Sequence, residues 1–275
     1  MAKVSIIIPA YRADEALYRS IDSALQQTHD DFELAVAHAD YDERINDVVR
    51  KYNDDRIRTI GGSDVSESIV RAIECSMGEY VTILHVGDIM HSEKLRIQLK
   101  RMARNPDIAV CGTWMRPLSN DIINMQGSGK EGYVENPLLL LLNCNFVSRS
   151  TAVVRRSFMQ EHGVSFSSQY RPCEEYGLWF DIFRYGGTMY VEPQCLVYVD
   201  TEEPKKTEQD IMEEFRQSLR LKYDILRYLL EKVEPREKKE ALTDMLKSFD
   251  RAEKLGTVST KMILDVFYII LTRPI

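Results

Sequence analysis

Acidic, imidazole and guanidinium side chains recur along this 275-residue chain, and a few of them fall where they could do chemistry together. Glu174 and Glu175 stand side by side just ahead of Tyr176-Gly-Leu-Trp179. A carboxylate placed there can take a proton from a hydroxyl; the same pair at a helix start would equally serve only as a favourable partner of the helix dipole. Arg12, behind Pro9-Ala10-Tyr11, carries a charge suited to offsetting a phosphate. His38 and Asp40 follow one apolar run, and His85 and Asp88 follow another. Asp88 is a hard oxygen donor of the kind magnesium or manganese prefers, with Asp200 or Glu202 as partners in a displaced site, whereas His38, His85 and His91 are poor ligands for magnesium. Each of these residues has a plainer reading as a solvated loop side chain. For His85 that reading is a ring bonded to backbone at a strand end.

The elements that must position these groups alternate. Val4 to Ile8 is a β-branched apolar run closed by Pro9, and residues 14 to 27 then place Leu17, Ile21 and Leu25 on one helical face. Strands follow at 32–37, 57–60, 81–84 and 108–111. Between them lie helix faces carrying Ile45, Val48, Val49 and Tyr52, then Val65, Ile69, Ile73 and Met77, then Leu95, Leu99 and Met102. Wholly apolar strands separated by amphipathic helices predict an α/β fold with a mostly parallel, Rossmann-like sheet covered on both faces. Ligands of such sheets sit beyond the carboxyl ends of the strands, which directs attention to residues 9–12, 38–43, 61–66 and 85–91.

Composition narrows the class further. At 44% hydrophobic residues the chain can bury a substantial core. A net charge of -7 and a pI near 5.4 argue against nucleic acid as a main partner, because phosphate backbones call for a basic surface. The five cysteines are odd in number and scattered without metal spacing, so they read as reduced thiols of a cytoplasmic protein. A strand begins within four residues of the N-terminus, leaving no room for a signal peptide, and no run of 18 apolar residues exists. Thr207 to Lys232 has the pattern of a long helix, and Pro235 separates it from a second at 236–254. A third apolar stretch, 262–271, makes 257–275 a candidate for packing on the rest of the chain, for homo-oligomer contact or for peripheral contact with a membrane surface.

Several ordered blocks then resemble one family. Val4-Ser-Ile-Ile-Ile-Pro-Ala-Tyr11, Ser23 to Leu34, Arg56 to Ile60 and Gly78 to Leu84 are similar to the opening half of a family 2 glycosyltransferase of the GT-A fold. Asn105 to Trp114, Thr151 to Ser157, Glu174 to Trp179 and Leu196-Val-Tyr198 continue the likeness in the same order, so that it covers roughly residues 3 to 200. The resemblance implies a GT-A domain over 1–204 with a helical C-terminal extension over 205–275. It also implies inverting transfer of a sugar from a nucleotide-sugar donor to an acceptor hydroxyl, in assembly of a glycan or a lipid-linked glycoconjugate.

Carried over residue by residue, the resemblance places Glu175 on the catalytic base, beside Glu174, with Tyr176 and Trp179 at the acceptor. Pro9, Ala10, Tyr11, Arg12, His38, Asp40, His85 and Asp88 fall on the donor pocket. That pocket departs from the pattern. His38-Ala-Asp-Tyr41 replaces the acids expected after the second strand, His85 replaces the acid that meets the ribose, and Gly87 replaces the acid that holds the metal. Only Asp88 keeps a carboxylate, so the expected role of a manganese or magnesium cofactor is weak or absent. Two explanations follow from this clustering: a donor site rebuilt around other groups, or a non-catalytic homologue that binds a glycan or a partner glycosyltransferase.

Overall fold

The computed structural model describes residues 3–40, 42–118, 126–127, 131–166, 168–201 and 207–232, with isolated positions at 240, 243, 244 and 247. In chain order the elements are β1 (Val4–Pro9), α1 (Glu15–Leu25), β2 (Phe32–Ala39), α2 (Glu43–Arg50), β3 (Ile57–Gly62), α3 (Val65–Glu74), β4 (Tyr80–Ile83), β5 (Ile89–Met90) and α4 (Lys94–Arg104). Then come β6 (Ile108–Pro117), β7 (Gln126–Gly127), β8 (Gly132–Tyr133), α5 (Pro137–Asn143), β9 (Val153–Arg155), α6 (Arg156–His162), α7 (Glu174–Arg184), β10 (Thr188–Val199) and α8 (Glu208–Lys232).

One sheet in the order β3-β2-β1-β4-β9-β6-β10-β5 runs through the molecule, with β7 on β6 and β8 on β10. The long ladders, β1 with β2 and β4, β2 with β3 and β6 with β10, are parallel. The antiparallel ladders made by β5, β7, β8 and β9 each pair only two residues per strand. The period of two along β1 explains why both faces are covered: Val4, Ile6 and Ile8 belong to one buried cluster and Ile7 to the other. The first cluster is closed by Leu17 and Ile21 of α1, Ile45 and Val48 of α2, and Leu95, Leu99 and Met102 of α4. The second is closed by Ile69 and Ala72 of α3, Leu178, Trp179 and Ile182 of α7, and Leu221, Ile225 and Leu226 of α8. The 25-residue helix α8, which begins outside the stretch of family likeness, is therefore part of the core.

Where the elements differ from the sequence expectation, the cause is local. Asp14 is the N-cap of α1, its carboxylate accepting from the Ala16 amide, so the helix begins one residue later. α3 ends at Glu74, and Met77, expected to continue its apolar face, stands 60% exposed beyond the cap. The short strands β5 and β9 have no periodicity to announce them; each forms because β10, β4 or β6 offers an open edge. No helix of the described residues is long and apolar enough to cross a membrane, and the 257–275 stretch and most of 236–254 lie outside those residues.

The chain leaves β1 on one side to build β2 and β3, then returns through α3 to place β4 on the other side. The carboxyl ends of β1 and β4 thus flank a switch in strand order, where open α/β sheets bind their ligands.

Candidate active site

Beyond that switch lies a cleft of about 570 Å³. Its walls come from the end of β1 (Pro9, Tyr11), the start of α3 (Val65, Ser66, Ile69), the turn after β4 (His85, Val86, Asp88), residues 148–150, the start of α7 (Glu174, Glu175) and the end of β10 (Val199, Asp200).

The turn after β4 is held from below by α1. Ser20, fully buried, donates from Oγ to the Asp88 carbonyl at 2.9 Å and accepts the Gly87 amide at 2.8 Å. The Asp88 amide closes the turn on the His85 carbonyl at 3.0 Å, with Gly87 at φ +100, a region in which L side chains are strained. Space adds a second requirement for glycine here. A Cβ on residue 87 would stand 2.5 Å from Oδ2 and 2.8 Å from Cβ of Asp200. The Asp200 side chain therefore lies directly over the position whose carboxylate is missing.

Asp200 is in turn held by cations, with Arg19 Nη2 at 2.8 Å and Arg12 Nη2 at 3.8 Å from Oδ2. Its amide donates to Asp88 Oδ1 at 3.0 Å, while Ser150 Oγ donates to Asp88 Oδ2 at 2.6 Å. Asp88 itself is 3% exposed, and burial pushes its pKa up to about 6 against the opposing pull of the Ser150 and Asp200 hydrogen bonds and of Arg149. The pair Asp88 and Asp200, picked out in the sequence as metal partners, do come together, but as an internal brace; Glu202 lies outside the described residues.

His85 faces Tyr11 across the cleft mouth. Its Nδ1 lies 3.0 Å from the Val86 carbonyl, an atom that can only accept, so Nδ1 carries the proton and Nε2 accepts from the Tyr11 hydroxyl at 3.1 Å. Burial, then the charge of Arg149, lowers the His85 pKa to about 4, which keeps the ring neutral at pH 7.

On the opposite wall, Glu175 occupies the first turn of α7, where the helix dipole favours a negative charge. Oε1 accepts from the Arg149 amide at 3.0 Å, and Oε2 stands 3.6 Å from the Arg149 guanidinium. Glu174, one residue earlier, is turned toward α3: Ser66 Oγ donates to it at 2.8 Å and Arg171 lies 3.9 Å away, itself bonded to Asp64 at 2.7 Å. Glu174 ties two helix starts together, leaving Glu175 as the carboxylate with the simpler set of contacts.

The remaining sequence candidates lie off this cleft. Ala10 is buried with its amide on the Ala37 carbonyl. His38 is buried in β2 with Nδ1 on the Ala39 carbonyl at 2.8 Å, and exposed Asp40 packs its carboxylate over Gly61. Trp179 is 1% exposed and belongs to the core, and Tyr176 is buried with its hydroxyl donating to the Leu141 carbonyl. His91 bonds at Nδ1 with the Glu93 amide, away from the cleft wall. The expectation of acceptor contact for Trp179 thus meets a side chain enclosed by the packing of α7, which faces the sheet with every third or fourth residue. Arg149 and Ser150 escaped sequence reading altogether. They precede the Thr151 to Ser157 block by two residues and one respectively and come to the cleft only because β9 inserts between β4 and β6.

Comparison with known proteins gives this geometry a setting. The sequence pattern described as Glycosyl transferase family 2 matches residues 5–163. The chain is 24% identical over 205 residues to an uncharacterized glycosyltransferase of Haemophilus influenzae, covering 66% of this chain and 61% of that protein. It is 26% identical over 184 residues to WfgD of Escherichia coli, described as a UDP-Glc:alpha-D-GlcNAc-diphosphoundecaprenol beta-1,3-glucosyltransferase, covering 66% and 70% respectively. Among solved structures, residues 1–349 of S. aureus TarS in complex with UDP-GlcNAc superpose with a TM-score of 0.67 at 16% identity, covering 87% of this chain and 70% of that one. The mannosyltransferase PcManGT of Pyrobaculum calidifontis, in complex with GDP-Man and Mn2+, gives a TM-score of 0.61 at 13% identity over 99% of this chain and 81% of that one. At these identities the structures speak for the fold, which is GT-A.

Proposed function

The chain belongs to glycosyl transferase family 2, and on that footing we propose that it transfers a sugar from a nucleoside diphosphate to an acceptor hydroxyl with inversion, in assembly of a glycan or a lipid-linked glycoconjugate. The observation that carries the reading is convergence: Glu175, Arg149, His85 and Tyr11, drawn from four separate segments, line one cleft at the switch in strand order. Glu175 is the general base. Its carboxylate is partly open to the cleft, and the Arg149 amide fixes its direction. It takes the acceptor proton as the hydroxyl oxygen attacks the anomeric carbon and the bond to the diphosphate breaks. We take 1–204 as the GT-A domain and 205–275 as its extension, with α8 of the extension packed into the core and bordering the cleft, and the WfgD likeness supports a lipid-linked acceptor met at the cytoplasmic side of a membrane.

A divalent ion holds the diphosphate in some GT-A proteins, and the groups present here do not fit one. Gly87 offers no ligand, each Asp88 oxygen faces a protein donor, and the Asp200 carboxylate rests on Arg19 and Arg12. Among the described residues no group of three or more His, Cys, Asp or Glu is placed to hold a metal. We assign the charge of the departing diphosphate instead to Arg149, which lines the cleft, and to Arg12, whose guanidinium lies 3.8 Å from Asp200 of the cleft wall, since planar guanidinium donors suit phosphate oxygens. The test is thermal stabilisation of the whole chain by UDP, GDP and their sugars with and without manganese, followed by a transfer assay with those that bind. No stabilisation by any of them would overturn the reading.

A further inference from the structure

Next to the first cleft lies a second, of about 450 Å³, between the end of α5, the start of α7 and the first half of α8. The two clefts share Pro172, Glu175 and Glu214, so the proposed base borders both. Lys222 of α8 lines this second cleft and is only 8% exposed. Its Nζ donates to the carbonyl of Asn143, the last residue of α5, at 3.0 Å. That contact caps α5 and uses one of three ammonium donors. No carboxylate of the described residues compensates the charge: burial lowers the Lys222 pKa, opposed only by Cys144. Glu175 and Glu214 also border the cleft. An ammonium buried in this way is unfavourable until an anion meets it. At the rim of the same cleft, Ile211 and Phe215 are large apolar side chains standing 54% and 41% exposed. A cation within and hydrocarbon at the edge match a ligand that is anionic at one end and apolar at the other.

We propose that this second cleft is the acceptor subsite and takes a sugar joined through an anomeric diphosphate to a hydrocarbon chain. The diphosphate meets Lys222, the chain leaves over Ile211 and Phe215, and a ring hydroxyl is presented to Glu175. The inference rests on the glycosyltransferase reading above. It is tested on the full chain with two probes, N-acetylglucosamine α-diphosphate carrying an eleven-carbon alkyl chain and the uncharged alkyl α-glycoside of the same sugar and chain length, each titrated calorimetrically in the presence of UDP.

Wild type should bind the diphosphate probe the more tightly. Lys222→Met keeps the buried stem and removes the charge, so it should weaken the diphosphate probe by roughly 10-fold or more while leaving the uncharged probe and stabilisation by UDP unchanged, and Lys222→Arg should restore most of the loss. Phe215→Ser should weaken both probes. Equal loss on the two probes in Lys222→Met, or no loss on either, would overturn the subsite, because a residue that only caps α5 cannot tell the probes apart. Binding of neither probe by wild type overturns it too. The glycosyltransferase reading falls separately, when nucleoside diphosphates also fail to bind.

Discussion

On the strand-end wall of the cleft, Asp88 is buried, with one carboxylate oxygen facing the Ser150 hydroxyl and the other the Asp200 amide. On the facing wall, Glu175 is partly exposed and is held by the amide and the guanidinium of Arg149. The two carboxylates open from the same space but differ in what surrounds them. Burial raises Asp88 toward protonation and fills its lone pairs with fixed donors, which suits a strut that holds β10 against the β4 turn. Glu175 sits in solvent reach in the first turn of α7, where a proton can arrive and leave. On the proposed reading the working carboxylate belongs to α7 rather than to the strand ends.

The sharpest way to break that contrast is Glu175→Gln. The amide oxygen still accepts from the Arg149 amide, so shape and donor binding persist while proton acceptance is lost. We expect transfer to fall by about 10²- to 10⁴-fold with stabilisation by UDP unchanged. Near wild-type turnover in steady-state assays would remove Glu175 from the mechanism.

Asp88 should instead reveal itself in stability. Its folded pKa, about 6, lies above the unfolded value of 3.8, so the folded state binds more protons between the two. The stability linked to this group is fully present below about pH 4 and is lost as the pH rises through 6. The loss is on the order of 2–3 kcal/mol for one such group. Denaturant titrations of wild type and Asp88→Asn across pH 4 to 7 should show this slope in wild type and its absence in the variant. Parallel pH profiles would mean that Asp88 is solvated and free to do something else.

What the sequence made legible divides along the same line. The sheet could be foreseen from β1 outward because Val4, Ile6, Ile7 and Ile8 are apolar on both faces, and only a covered parallel strand has that pattern. Glu175 could be directed to the cleft only through the resemblance carried by Glu174 to Trp179, since the two adjacent carboxylates by themselves left a helix-dipole role open. Arg149 could not, since it lies in an irregular segment with no period and reaches the cleft through tertiary pairing of β9. Nor could the role of Asp200, 113 residues from Gly87, be read from either position; only folding lays one side chain over the other.

That overlap gives the next test. Gly87→Ala meets both a positive φ and the Asp200 carboxylate, and should destabilise by about 1–3 kcal/mol. Adding Asp200→Ala removes the carboxylate part of the clash but leaves the Cβ contact and the backbone strain. In a double-mutant cycle the combined variant should therefore be more stable than the two single costs predict. Strict additivity in chemical denaturation would show that the two side chains do not compete for one space.

The smallest expected effect concerns the metal, and it bears directly on what replaced the strand-end acids. A divalent ion acting as Lewis acid supplies several kcal/mol, so an enzyme relying on one loses roughly 10²-fold or more in rate when chelator removes it. Here the Asp200 side chain lies over residue 87, and on the proposed reading the positive charge facing the diphosphate belongs to Arg12 and Arg149, which no chelator extracts. EDTA should change the transfer rate by less than about 2-fold, and added manganese should leave the affinity for UDP unaltered within a similar margin. Arg12→Leu provides the counterpart, because removing the built-in cation should weaken UDP by roughly 10-fold whether or not manganese is present. Recovery of that loss by manganese would place an ion in the cleft after all, and would turn the Asp88 and Asp200 brace into a ligand pair.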